Sequence, residues 1–313
     1  MGIKYELDIL NKKLSIIHPL REHDSSYKFI DPLLAYIIPS SDQDVPLSAL
    51  KNKISDFINN EKNNNGLSDA SVFFSDLDRG RWIGVNEKQK YNPASMLKVV
   101  IMVAYFKKNE KETDTFSKSL TYTKDVDNLI KKDPFNSESD LQIGKSYIVQ
   151  DLINKMIMYS DNGTEILLLN NIEVSYLNSI YNVLNIDNPE KTNGDFVISP
   201  RAYSLFFRIL YSATYLNHED SEKALEILSK TTFNDGLIDD LPRDVVVSHK
   251  FGEHVYVDNN QIQSIELHDC GIVYYKEYPY FLCVMTKGNN LESLKNVIKS
   301  ISSIVYQNYY SLK

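Results

Sequence analysis

The chain has 313 residues, of which 42% are hydrophobic and 24% are charged, close to the balance of an ordinary globular protein. This composition excludes a wholly disordered chain, a collagen and a disulfide knot, and the length allows one large domain or two smaller ones. The formal net charge of −8 argues against a general nucleic-acid-binding surface, so no nucleic-acid partner is expected.

The first 46 residues show little periodicity. We expect residues 1–46 to be a leader that either packs along the domain or forms a partly ordered tail. No apolar segment follows the start Met1–Lys4, so it does not resemble a signal peptide. We expect a periplasmic or other extracytoplasmic protein if an export segment was removed, and a cytoplasmic protein otherwise. The longest uncharged apolar run, Val99–Phe106, is too short to span a bilayer, so we expect no transmembrane segment.

The first part of the main domain predicts a helix, two strands and a second helix. Helical spacing of apolar residues predicts a helix over Leu47–Asn60. The apolar runs Val72–Phe74 and Trp82–Val85 flank Asp78–Gly80, which is typical of a β-hairpin. The next helix, Ser95–Lys108, is apolar nearly all round, so we expect it to be buried.

The rest of the chain predicts helices followed by strands. Residues from about 119 to 230 favour helices, including one that begins at Ser199–Pro200. Three antiparallel strands and a closing helix are then predicted: 245–247, 262–275, 280–287 and 291–305. The simplest packing is an α+β fold in which both chain ends build one five-stranded antiparallel sheet with flanking helices. One domain, 47–313, then has a sheet part at 47–94 and 240–313 and an all-helical part at 95–239.

The two cysteines, Cys270 and Cys283, fall in apolar segments, and we expect them to be buried thiols. If Tyr275 pairs with Tyr280 across the turn, Cys270 lies diagonal to Cys283. A disulfide would then require a different register. The two cysteines therefore do not indicate whether the protein works in an oxidising or a reducing compartment.

The first chemical motif is Ser95-Met96-Leu97-Lys98, at the start of the buried helix. Residues at i and i+3 share a helix face, so the hydroxyl and the amine can approach hydrogen-bond distance. Burial lowers the pKa of Lys98, which can then take the proton of Ser95 so that the serine attacks a carbonyl. The alternative is a surface serine and lysine at chance spacing. The Ser95–Lys98 motif follows two short strands and opens the most buried helix, and this context favours a catalytic role over chance spacing.

Two further motifs follow. Tyr159-Ser160-Asp161-Asn162-Gly163 lies between two helical faces, and on its own it is a loop with a helix cap. His249-Lys250-Phe251-Gly252-Glu253 follows the 245–247 strand, and on its own it is a charged strand end. Neither motif alone indicates a function.

Together and in this order, the three motifs resemble those of the serine penicillin-recognising enzymes, the class A β-lactamases and their penicillin-binding-protein relatives. Those proteins carry Ser-x-x-Lys, Ser-Asp-Asn and Lys-Thr-Gly. Local likeness extends to Asp195, Ser199–Ala202, Leu241–Pro242 and His268–Val273. The resemblance covers about 49–313 and implies the α/β/α sandwich of the β-lactamase and transpeptidase fold.

The resemblance implies roles for the helical residues. Ser95 is the nucleophile and Lys98 the base for acylation. Ser160 passes a proton to the leaving nitrogen of the substrate. Asn162 binds the acyl-side amide, and Asp161 holds the loop.

It also implies roles for the strand residues. Lys250 supplies positive charge near Ser160 and the substrate carboxylate. Gly252 lets the substrate lie close along the strand because it has no side chain. The backbone N–H groups of Ser95 and Glu253 form the oxyanion hole.

The chain departs from the family pattern at Phe251, where the family usually has a hydroxyl residue. If the alignment holds, a hydrogen bond to a substrate carboxylate is lost, worth about 1.5–3 kcal/mol. The alternative is that Phe251 stacks on an apolar group of the substrate.

A second departure concerns deacylation. Efficient class A enzymes carry Glu-x-x-Leu-Asn on a long loop, and the span between Asn162 and Pro200 lacks this motif. Glu190 is the nearby candidate for the deacylation base. Without a base within one water of the ester, acylation is normal and deacylation is slow.

The sequence therefore predicts a serine acyl-hydrolase that opens a β-lactam or related amide through a Ser95 acyl-enzyme, with antibiotic resistance by β-lactam breakdown as its role. The alternatives are a D-Ala-D-Ala carboxypeptidase-like penicillin-binding protein and a β-lactam or muropeptide sensor with slow deacylation; a small ester also stays open as substrate. The expected partner is a small β-lactam or a peptidoglycan-type peptide, and we expect a monomer without a cofactor.

A metal site is the remaining rival. His249, Glu253 and His254 form a cluster in sequence, but on a strand His254 points away from the other two. The spacing matches no zinc site, so no metal is expected. His268 and Asp269 are predicted to be a polar pair in the core.

Overall fold

The computed structural model describes residues 20–22, 26–35, 45–64, 66–130, 139–188, 196–259, 261–275 and 278–309. Its strands and α-helices, in chain order, are β1 (Leu20–Arg21), β2 (Leu33–Ala35), α1 (Val45–Asn64), β3 (Leu67–Asp76), β4 (Trp82–Val85), α2 (Lys98–Lys111), β5 (Ser119–Thr121), α3 (Lys124–Leu129), β6 (Ser146–Ile148), α4 (Val149–Met158), α5 (Asn162–Leu169), α6 (Val174–Leu184), α7 (Pro200–Tyr211), α8 (His218–Leu228), β7 (Val246–Asp258), β8 (Gln261–Tyr274), β9 (Tyr280–Gly288) and α9 (Leu291–Tyr309).

The main sheet joins the two ends of the domain. Its strand order is β4-β3-β9-β8-β7, and every neighbouring pair is antiparallel. The central contact pairs β3, from the first part of the chain, with β9, from the last part. The predicted α+β fold with a five-stranded antiparallel sheet is therefore confirmed.

Alternation along β9 divides the core into two layers. Leu282 and Val284 pack with apolar residues of α1 and α9 on one face of the sheet. Phe281 and Met285 point to the opposite face, where they join the core of the helical part. Because side chains alternate along a strand, this sheet buries both faces and lies between helices, as an α/β/α sandwich requires.

Two elements extend differently from their predicted bounds. The helix predicted to begin at Ser95 starts with a 3₁₀ turn over Ala94–Leu97 and continues as α2. The strand predicted to end at Val247 continues to Asp258, so His249–Glu253 lies inside β7 rather than after it. Charged residues did not end the strand because Lys250 is buried and its amine has hydrogen-bond partners across the site.

Both cysteines are buried, as predicted, but the prediction that they are thiols is wrong. Val273, not Tyr275, pairs with Tyr280, which places Cys270 directly opposite Cys283 on β8 and β9. The two residues form a disulfide. The register differs because β8 ends at Tyr274, before the turn, so Tyr275 does not pair with β9.

The described part of the leader packs on the domain. Phe29 and Ile30 are buried in the helical core, and their backbone N–H groups donate to the carboxylate of Glu222 on α8. The N–H of Asp31 donates to the carbonyl of Tyr211 at the end of α7. The domain boundary at residues 46 and 47 stays a prediction. Across the described ranges, no helix combines the length and the apolar character needed to cross a membrane.

Candidate active site

The turn that carries Ser95 is held by residues of β8. Ala94 adopts a positive φ of 47°, which is uncommon for a residue with a side chain. Its N–H donates to Asn92 Oδ1 at 2.9 Å, and the N–H of Asn92 donates to Glu266 Oε2 at 3.0 Å. His268 Nε2 lies 3.0 Å from the carbonyl oxygen of Asn92. Glu266 and His268 therefore fix the backbone that presents Ser95, a role that no sequence motif indicated.

Lys98 lies at the centre of the site and is fully buried. Its Nζ donates to Ser95 Oγ at 2.8 Å, to the carbonyl oxygen of Ser160 at 2.6 Å and to Asn162 Oδ1 at 2.6 Å. The Glu165 carboxylate lies 3.3 Å from the same nitrogen. One amine thus links the first two sequence motifs and adds a carboxylate that the sequence analysis missed.

Burial controls the protonation of Lys98. Loss of solvent lowers the pKa of the Lys98 amine below its ordinary value, while the negative charges of Glu165 and Asp161 oppose this effect. A lower pKa increases the neutral fraction near pH 7, and a neutral amine can accept a proton. Since Ser95 Oγ is 2.8 Å away, the geometry allows Lys98 to take the serine proton.

The loop between α4 and α5 presents Ser160. Asp161 is the N-cap of α5, and its Oδ1 accepts from the N–H of Thr164 at 2.7 Å and from Ser139 Oγ at 3.0 Å. Ser160 itself has a positive φ of 57°. The cap fixes the loop so that the carbonyl of Ser160 points to Lys98.

Lys250 contacts the same serine from the strand side. It is fully buried on β7, and its Nζ donates to Ser160 Oγ at 2.9 Å and to the carbonyl oxygen of Phe251 at 3.0 Å. Burial, together with the nearby charge of Lys98, lowers the pKa of Lys250. Ser160 Oγ thus accepts from the Lys250 amine, with Lys98 Nζ 3.3 Å away, and its own hydrogen is left to donate elsewhere.

Phe251 forms an aromatic surface beside Lys250. Its ring stacks on Phe233, with centroids 4.2 Å apart and planes 16° apart. Lys250 Nζ lies 4.1 Å from the centroid of the Phe251 ring. Where the family motif has a hydroxyl, this chain therefore has an aromatic ring packed between a lysine and a second aromatic ring.

Gly252 lies against the turn that carries the nucleophile. A Cβ at this position would overlap the carbonyl oxygen of Pro93 and lie 2.8 Å from Met96 Cγ. Glycine is needed there for close packing of β7 on the Ser95 turn, which is a reason that the sequence did not reveal. The contacts of Gly252 and Glu253 with a substrate stay predictions.

The remaining predicted residues divide into those outside the described ranges and those with other partners. Glu190 and Asp195 lie outside the described residues. His268 and Asp269 are both buried but are not partners: His249 Nδ1, not His268, lies 2.9 Å from Asp269 Oδ1. Neighbouring residues on a strand point to opposite faces, so His268 faces Asn92 instead. Within the ranges the structure describes, no cluster of three His, Cys, Asp or Glu residues is suited to a metal ion.

The fold and the Ser-Lys site define the superfamily of serine β-lactamases and penicillin-binding proteins. A family model described as the β-lactamase enzyme family matches residues 49–309, and the chain therefore belongs to that family. No curated protein sequence matches the chain.

Solved structures with the same fold are distant in sequence. A mutant of PBP-A, solved as its acyl-enzyme complex with penicillin G, is 22% identical, with a TM-score of 0.70 over 87% of this chain and 100% of that chain. A β-lactamase from Chitinophaga pinensis DSM 2588 is 19% identical, with a TM-score of 0.70 over 83% of this chain and 99% of the other. The TLA-1 extended-spectrum β-lactamase is 18% identical, with a TM-score of 0.70, covering 84% and 98% respectively.

Proposed function

We propose that the protein is a serine acyl-hydrolase of the class A β-lactamase type, which opens a β-lactam or a related amide through an ester on Ser95. The observation that carries this proposal is the 2.8 Å hydrogen bond from the buried Lys98 amine to Ser95 Oγ. A lysine whose pKa is lowered by burial, beside a serine on a rigid turn, is an activated nucleophile.

Acylation follows from these contacts. Lys98 takes the proton of Ser95, and Ser95 Oγ bonds to the carbonyl carbon of the substrate. The backbone N–H groups of Ser95 and Glu253 hold the developing oxyanion. The amide C–N bond then breaks as Ser160 donates its proton to the leaving nitrogen. Lys98 then passes the proton that it took from Ser95 to Ser160 Oγ, so both groups end the step neutral, while the Lys250 amine keeps its hydrogen bond to that oxygen.

The strand side of the site selects the substrate. Lys250 offers its amine as a hydrogen-bond donor to a substrate carboxylate, while the Phe251 ring, stacked on Phe233, offers an apolar surface beside it. This combination favours a substrate that carries an apolar group next to its carboxylate. Simple penicillins bind with lower affinity than they would beside a hydroxyl residue.

The second candidate is a penicillin-binding protein or sensor whose acyl-enzyme persists. The missing Glu-x-x-Leu-Asn motif between Asn162 and Pro200 favours it. So does the likeness in fold to PBP-A, whose mutant was solved as an acyl-enzyme complex. Its natural substrate would be a D-Ala-D-Ala-type peptide.

Mass spectrometry of the intact protein separates the candidates. The protein is mixed with penicillin G, and both the adduct and the ring-opened product are followed for an hour. An adduct that forms and then disappears while product accumulates supports the hydrolase. A persistent adduct supports the penicillin-binding protein or sensor. Neither adduct nor product with several β-lactam classes would contradict both.

A further inference from the structure

An ester on Ser95 must be hydrolysed by water, and that water needs a base. A general base acts on a proton within hydrogen-bond reach, directly or through one water. The loop glutamate that the family motif would supply is missing between Asn162 and Pro200. Glu190, the candidate base from the sequence, lies outside the described residues, whereas Glu165 is a described carboxylate beside the Ser95–Lys98 pair.

Glu165 reaches the site from the first turn of α5. It follows Asn162 by three residues, so both side chains lie on one helix face. Both contact the same nitrogen: Lys98 Nζ is 2.6 Å from Asn162 Oδ1 and 3.3 Å from Glu165 Oε2. Helix geometry thus aims this carboxylate at the catalytic lysine.

The carboxylate is also close to the nucleophile. Ser95 Oγ lies 2.8 Å from Lys98 Nζ, and Glu165 Oε2 lies 3.3 Å from that same atom. Ser95 and Glu165 therefore share one hydrogen-bond partner, and a single water can bridge them. A water in that place would be within one hydrogen bond of the carboxylate, as general-base catalysis of ester hydrolysis requires.

Burial distinguishes Glu165 from its partner. The Lys98 side chain is 0% exposed, while the Glu165 side chain is 21% exposed. Water can therefore reach the carboxylate, and the carboxylate in turn lies at the edge of the buried Ser-Lys pair. A base that directs water to the Ser95 ester must contact both the solvent and the buried Ser-Lys pair.

We propose that Glu165 is the general base of deacylation, which takes a proton from the water that attacks the Ser95 ester. This inference rests on the proposed acyl-enzyme. The water oxygen bonds to the acyl carbon and its proton passes to the Glu165 carboxylate. The bond between that carbon and Ser95 Oγ then breaks, and Ser95 Oγ regains a proton from Glu165 through Lys98. The products are the free serine and the carboxylic acid of the substrate.

The test compares Glu165→Gln and Glu165→Asp with the wild-type protein in rapid-quench mass spectrometry with penicillin G. Glu173→Gln is the matched control, because it also removes a glutamate paired with a lysine of α2: Glu173 Oε2 lies 2.6 Å from Lys108 Nζ. The rates of adduct formation and of adduct loss are measured separately for each protein.

We expect Glu165→Gln to form the adduct at least as fast as the wild-type protein and to lose it about 10²- to 10⁴-fold more slowly. Glu165→Asp should keep part of the deacylation rate, and Glu173→Gln should match the wild-type protein. Adduct loss that is unchanged in Glu165→Gln would overturn the base role while leaving the proposed function intact. Formation and loss slowed equally would overturn it too, because Glu165 would then only position Lys98. Neither product nor adduct in any of the proteins would overturn both proposals.

Discussion

The helical side and the strand side of the site differ in how closely they match the family pattern. On the helical side, Ser95, Lys98, Ser160 and Asn162 all match, and one lysine amine joins them through hydrogen bonds of 2.6 to 3.3 Å. On the strand side Lys250 matches, but an aromatic ring replaces the hydroxyl residue that follows it.

This difference separates bond-making from recognition. In the proposed mechanism the helical side moves protons, and its contacts are hydrogen bonds to one buried amine. In the same proposal the strand side contacts the substrate, and an aromatic ring there changes which substrate fits without changing the reaction. We therefore expect an ordinary acylation mechanism applied to an unusual substrate.

The largest effect is expected from removing the Lys98 amine, which links the residues of the helical side. Lys98→Ala should slow acylation by about 10²- to 10⁴-fold, because Ser95 loses its proton acceptor. The rate of adduct formation with penicillin G is the measurement. Lys107→Ala, on the same helix but with its amine bound to Glu110, serves as the control. Wild-type labelling by Lys98→Ala would show that another group activates Ser95.

A second change tests whether the strand positions the nucleophile. Gly252→Ala places a methyl group against the carbonyl of Pro93 and should push β7 away from the Ser95 turn. A displacement of about 1 Å costs on the order of 100-fold in rate. Acylation rate and the unfolding temperature are measured together. A fully active, equally stable variant would mean that the turn and the strand are not closely coupled.

A hydroxyl residue at position 251 tests how the strand side selects its substrate. Phe251→Thr should tighten binding of penicillins about 10- to 100-fold, because a hydrogen bond to a charged group is worth about 1.5–3 kcal/mol. Phe251→Val is the matched control, since it has the shape of threonine without the hydroxyl. The apparent dissociation constant before acylation is the readout. Equal penicillin affinity in the two variants would show that the hydroxyl does not contribute to binding.

The smallest expected effect is a shift in pH dependence. In the proposed mechanism acylation requires neutral Lys98, so the acylation rate should rise with pH through the Lys98 pKa. Burial lowers this pKa and the Glu165 carboxylate raises it. Glu165→Gln removes the raising charge, so the rise in acylation rate should move to lower pH. A profile that is unchanged or moved to higher pH would contradict this electrostatic coupling.

Much of the fold was predictable because its signals are local. Apolar runs on either side of a turn predict β3 and β4, and the apolar helix after Pro93 predicts the buried centre. The strand register was not predictable, since it depends on where β8 ends before the turn. The predicted pairing of Tyr275 with Tyr280 therefore places Cys270 diagonal to Cys283, whereas the two lie directly opposite each other.

The site was predictable to the same extent. Spacing of i and i+3 predicted that Ser95 and Lys98 approach each other, and the structure places them 2.8 Å apart. Glu165 has the same spacing from Asn162, a signal that was present but weak without the lysine between them. The support of Asn92 by Glu266 and His268 comes from long-range strand contacts, which no local pattern encodes.

The central claim is that Ser95 forms the ester, and peptide mapping tests it most directly. The wild-type protein, Ser95→Ala and Ser117→Ala, an exposed serine elsewhere in the helical part, are each treated with a fluorescent penicillin and digested. We predict label on the peptide that contains residue 95 in the wild-type protein and Ser117→Ala, and no label in Ser95→Ala. Full labelling of Ser95→Ala would contradict the account.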